Sequence, residues 1–86
     1  MKTLGHLRNK IDQIDTEIVR LLDERMQVCH QVGEFKKCNN VALTHANREN
    51  QIIDRLSSST DLKSLSRDDI SSLYEIIFKI SKSKQK

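Results

Sequence analysis

The chain has 86 residues, no proline, two glycines, 3% aromatic and 31% charged residues, a balance that favours long helices over strands and hairpins and allows one thin core. A formal net charge of +3 attracts anions in general but falls short of the dense basic surface of a dedicated nucleic-acid binder. Cys29 and Cys38 form no CxxC pair, which argues against a disulfide framework or a structural zinc site, and no stretch approaches the roughly 20 apolar residues of a membrane span. A soluble, cytoplasmic, all-α protein that oligomerises to complete its core is expected.

Apolar residues recur at Leu7, Ile11, Ile14, Ile18 and Leu21, then at Val28, Val32 and Phe35, in steps of four and three with one beat missing at position 25. This predicts a first amphipathic helix over about residues 4 to 38, on the order of 50 Å long at 1.5 Å per residue and longer than a globule of this size is wide. Such a helix needs a partner along its whole apolar stripe, and the rest of the chain is too short to supply it. A second copy would.

Poor helix formers from Asn39 to Thr44 interrupt the pattern, with Thr44 suited to cap a second helix over about residues 45 to 57 that carries Ile52, Ile53 and Leu56. Ser57 to Thr60 reads as a loop, and Ser66 followed by Asp69 reads as a capping box opening a third helix over about residues 67 to 84. That helix is expected to bury Ile70, Leu73, Tyr74, Ile77, Phe78 and Ile80. Its end, the lysine-rich segment Lys82 to Lys86, suits the negative end of the helix dipole.

Several polar residues fall where the stripes call for apolar ones. Arg25 takes a heptad position; it either pairs with a carboxylate of a neighbouring helix and sets register, or waits for an anionic ligand that its planar fork can grip. Lys36, eleven residues on, returns to within about 20° of the same direction, so two cations share one inward face. Arg8 lies about 25 Å from Arg25 along the axis and roughly 100° round it, so within one chain it cannot reach the same small ligand. Arg48 and Glu49 precede Ile52 and Ile53 by one turn and fit either the edge of the buried face or an exposed charged turn. Ser81 and Gln85 continue the line of Tyr74, Ile77 and Phe78 with hydrogen-bonding groups, as either a ligand site or a frayed helix end would have them.

The ordered set Leu7-Arg8, Ile11, Asp15, Leu21-Leu22, Arg25, Val32-Gly33, Lys36, Arg48-Glu49, Ser81 and Gln85 resembles the all-helical AroQ class of chorismate mutases over nearly the whole chain. The resemblance implies one domain over residues 1–86 and a three-helix protomer intertwined as a homodimer through its long first helix. Each of two sites borrows Arg8 from the other subunit. It implies that Arg25 and the borrowed Arg8 hold the two carboxylates of chorismate, with Arg48 nearby and Ser81 as a supporting donor. Lys36 and Gln85 hydrogen-bond the ether oxygen, and Glu49 takes the ring hydroxyl. The implied activity, conversion of chorismate to prephenate on the shikimate route to aromatic amino acids, is pericyclic and uses no cofactor or metal. The chain departs from the family's pattern at His45, where an aspartate is expected near the ring hydroxyl, and at Ala42, where a proline is common.

Two other readings use the same residues. Isochorismate-pyruvate lyases share this scaffold, and His45 keeps that activity open, although Arg48-Glu49 in that order favours the mutase. A non-catalytic helical pairing or regulatory module would not need Arg25, Lys36 and Gln85, because stability alone favours apolar residues there. The basic C-terminal lysines also admit a nucleic-acid binder, whose retention on DNA would be salt-sensitive.

Overall fold

The computed structural model describes residues 3–38, 46–59 and 61–85. Three helices make up the fold: α1 (Leu4–Cys38), α2 (Ala46–Ser57) and α3 (Arg67–Gln85), with no strand among the described residues. The capping expectation at Thr44, and the departures at Ala42 and His45, lie outside the described residues. No described helix is long and apolar enough to cross a membrane.

α1 starts where Thr3 can cap it, its Oγ1 accepting from the His6 amide at 3.2 Å and its carbonyl from the Leu7 amide at 3.0 Å. Its solvent face is laced by one-turn pairs, Arg20 with Glu17 at 2.8 Å and Gln27 with Asp23 at 2.8 Å, which support a helix interior locally. α3 starts on the reciprocal capping box: the Ser66 amide donates to Asp69 Oδ2 at 3.0 Å and the Asp69 amide to Ser66 Oγ at 3.1 Å. These bonds hold the Asp69 carboxyl below its ordinary pKa, through the Ser66 backbone first and its side chain second. Ser57 still belongs to α2, so the serine loop opens at Ser58.

α3 packs against both other helices, while the backbones of α1 and α2 stay apart. The core lies between α2 and α3, where Ile52 and Ile53 meet Ile70 and Phe78, flanked by Leu56 and Tyr74. Tyr74 and Phe78 stack edge to face at 5.5 Å. Only part of α1 is covered, by a helix 19 residues long against its own 35. The chain is accordingly elongated, 57 × 24 × 17 Å with a radius of gyration of 16.1 Å, against about 12 Å for a compact chain of this length.

Two residues expected in the core, Leu73 and Ile80, need correction. Leu73 and Ile80 are exposed rather than buried, because α3 turns its Ile70, Ile77 and Phe78 edge inward and leaves those two on its open flank. The apolar stripe of α1 also stays open within one chain: Leu7, Ile11, Ile14, Ile18, Leu21, Val28, Val32 and Phe35 are all exposed, Phe35 at 64%.

Candidate active site

Because α1 and α2 both pack on α3 with their own backbones apart, a cavity of about 190 Å³ remains between all three. From α1 it is lined by Arg25, Cys29, Val32 and Lys36; from α2 by Arg48, Glu49 and Ile52; and from α3 by Phe78, Ser81, Lys82 and Gln85. It therefore gathers six of the seven residues singled out in the sequence. Arg8 is the exception, exposed in the N-terminal part of α1.

Arg25 is half-buried and turned toward α3. Its Nη1 donates to Ser81 Oγ at 2.5 Å and to Cys29 Sγ at 3.6 Å, and its guanidinium lies 5.8 Å from the centroid of the Tyr74 ring. Ser81, 5% exposed, donates in turn to the Ile77 carbonyl at 2.7 Å. Among the described ion pairs none joins Arg25 to a carboxylate. The interruption of the heptad pattern is thus met by neutral groups that hold the guanidinium without a direct carboxylate partner among the described residues, an arrangement that suits an anion.

Lys36 Nζ donates to Gln85 Oε1 at 3.2 Å. With its carbonyl oxygen so engaged, the Gln85 amide has its NH₂ group to offer as a donor. The approach of α3 to α1 that makes this contact depends on Gly33, which is buried and whose hypothetical Cβ would lie 2.5 Å from Gln85 Cα. Glu49, half-buried on α2, pairs with Lys82 Nζ at 3.1 Å. Arg48 lines the cavity while remaining exposed.

Sequence reasoning assigned Tyr74 to the core, Lys82 to the helix dipole and no role to Cys29, yet Cys29 and Lys82 line the cavity and Tyr74 backs its arginine. A signal was present for Lys82: it stands one turn after Phe78, on the line that carries Tyr74 and Phe78. The wall as a whole holds four cations, Arg25, Lys36, Arg48 and Lys82, one carboxylate, Glu49, and one neutral amide, Gln85. Val32, Ile52 and Phe78 supply the apolar part. This combination can bind a small molecule with more than one negative charge and direct donors at a chosen oxygen. It presents no paired carboxylates and no nucleophile with an adjacent base among the described residues.

Residues 7–86 match the family chorismate mutase type II. Over 56 residues the chain is 39% identical to a bifunctional chorismate mutase/prephenate dehydratase of Aquifex aeolicus, covering 65% of this chain and 16% of that protein. It is 34% identical over 56 residues to a chorismate mutase of Methanocaldococcus jannaschii, covering 65% of this chain and 57% of that one. These matches span less than two thirds of either relative's length. Among solved structures, the chorismate mutase of Helicobacter pylori in complex with prephenate aligns with a TM-score of 0.87 and 33% identity, covering 95% of this chain and 88% of that one.

Proposed function

As the chain belongs to the type II chorismate mutase family, we propose that it converts chorismate to prephenate in the cytoplasm as a homodimer with two shared sites. The observation that carries this reading is the convergence of Arg25, Lys36, Arg48 and Gln85 on one small cavity in which Arg25 has no carboxylate partner among the described residues. The rearrangement is pericyclic, so it calls for no nucleophile, cofactor or metal. What it requires is that the enolpyruvyl side chain be held over the ring and that the charge developing on the ether oxygen be stabilised.

In this scheme Arg25 takes one carboxylate, steadied by Ser81 and Tyr74, and Arg48 lies close by. Lys36 and the Gln85 amide donate to the ether oxygen, and Glu49 accepts from the ring hydroxyl. A rate enhancement of about a million-fold corresponds to roughly 8 kcal/mol, a scale within reach of conformational restriction plus two well-placed donors.

The second carboxylate is assigned to the partner's Arg8. The dimer is supported by the open stripe of α1: Leu4, Leu7, Ile11, Ile14, Ile18, Leu21, Val28, Val32 and Phe35 are each 38% to 64% exposed. Covering nine half-exposed apolar side chains is worth on the order of 10 kcal/mol, enough to offset association costs of about 4–15 kcal/mol. An antiparallel pairing of two α1 helices carries Arg8 of one chain toward the C-terminal half of the other, where Arg25 and Lys36 stand.

The test is incubation of purified protein with chorismate and, separately, isochorismate, with identification of prephenate, pyruvate and salicylate. Prephenate from chorismate as the dominant product is the expected result. Pyruvate and salicylate from isochorismate would reassign the chain to the lyase activity, and silence with both would leave a helical pairing module.

A further inference from the structure

We propose that Lys82 is a positioning residue of this site, one that anchors Glu49 so that its carboxylate can accept the ring hydroxyl of the substrate; the inference rests on the chorismate mutase reading above. Lys82 Nζ lies 3.1 Å from Glu49 Oε2, the two side chains being 37% and 28% exposed. One carboxylate oxygen is thereby engaged from α3, and Oε1 is left to accept a hydroxyl.

The location of the pair is what gives it a task. Besides the 190 Å³ cavity, the molecule has a groove of about 580 Å³ lined by α2 and α3 residues alone. Glu49, Phe78 and Lys82 are the residues that line both spaces. The ion pair is therefore part of the partition that keeps the site from opening into the wider groove.

Glu49 is also the one carboxylate in a wall that holds Arg25, Lys36 and Arg48, and an untethered glutamate there would be drawn to the same cations that the substrate needs. A tether from the opposite helix prevents this. Stability does not account for the pair, since partly exposed ion pairs contribute little, and Lys84 already places a cation in the last turn of α3.

The experiment is steady-state kinetics with chorismate on the full chain and its variants. Lys82→Met should raise KM roughly five- to ten-fold, the scale of a partly lost hydrogen bond to a charged group. Its kcat should stay within about twofold, because the hydroxyl contact is made alike in ground and transition states. Lys82→Arg should restore KM, and Lys79→Met, which removes the same charge from the groove wall, should leave it unchanged. In a Glu49→Gln background Lys82→Met should add nothing further. An unchanged KM in Lys82→Met, no restoration by arginine, or an equal effect in the Glu49→Gln background would overturn the inference; the last of these would mean that Lys82 acts directly on substrate charge. Absence of turnover in the unmodified chain would instead overturn the underlying reading and the inference with it.

Discussion

Replacing Gly33 with alanine tests how closely α1 and α3 must approach for the site to form. The added Cβ would stand 2.5 Å from Gln85 Cα and 2.7 Å from its carbonyl carbon. Carbon atoms in contact prefer about 3.5–4.0 Å, so the Gln85 backbone must retreat by roughly 1 Å. Gln85 is the last residue of α3, and the retreat is expected as local unwinding of the final turn rather than movement of the helix. The 3.2 Å bond from Lys36 to Gln85 would then be lost. In stability the effects partly offset: alanine gains about 1 kcal/mol over glycine within a helix and overpacking costs about 1–3 kcal/mol, a net loss of about 0–2 kcal/mol. In catalysis they do not cancel, because a donor misplaced by about 1 Å loses on the order of 10²-fold in rate. Prephenate formation should therefore fall about a hundredfold while the melting temperature, followed by circular dichroism, drops by about 15 °C at most. Gly5→Ala is the control, since its Cβ would meet Thr3 Oγ1 at an ordinary 3.7 Å. Turnover in Gly33→Ala within about threefold of the parent, or collapse of the whole fold, would refute the reasoning.

Mixing Arg8→Ala with Arg25→Ala chains, each inactive alone, should restore activity, because half of the dimers formed at random are mixed and each holds one intact site, about a quarter of all sites. No recovery after verified subunit exchange would refute sharing. For Asp69, whose carboxyl is held below its ordinary range by Ser66, the stabilisation is fully present above the ordinary aspartate pKa and is lost as pH falls through the lowered folded value, that is, below about pH 4. The melting-temperature advantage of the parent chain over Asp69→Asn should accordingly hold at neutral pH and shrink in acid; an advantage constant with pH would refute the capping argument.

The helices were legible because their signals are local. The four-and-three spacing of α1, the apolar pairs of α2 and the Ser66–Asp69 box each depend on residues within a turn or two of one another. Arg25 and Lys36 could be placed on one face by arithmetic, since both belong to one straight helix. What could not be read was anything set by how two helices meet. The role of Gly33 appears only once the Gln85 backbone lies against it, the pairing of Lys82 with Glu49 joins positions on different helices, and the cation–π contact of Arg25 with Tyr74 joins α1 to α3. The exposure of Leu73 and Ile80 escaped for the same reason: periodicity shows that a helix has an apolar side but not how wide an edge its neighbours cover.

The packing divides the work of the fold unevenly. The apolar core, Ile52, Ile53, Ile70 and Phe78, lies between α2 and α3, whereas the side-chain contacts that cross from α1 to α3 include polar ones, Arg25 to Ser81, Lys36 to Gln85 and His30 to the Lys84 carbonyl. A chain selected only for stability would fill that crossing with apolar groups, because a desolvated cation without a counter-charge weakens the folded state. The polar crossing leaves the single chain thinly packed, with no fully buried large side chain among its described residues, which is consistent with the proposed role of the crossing in holding an anion. In the proposed dimer the deficit is recovered along the same apolar stripe that Arg25 interrupts, where the exposed residues of α1 are covered by a second copy. α1 is then at once the principal wall of the site and the principal surface of assembly, so site formation and subunit association draw on one element.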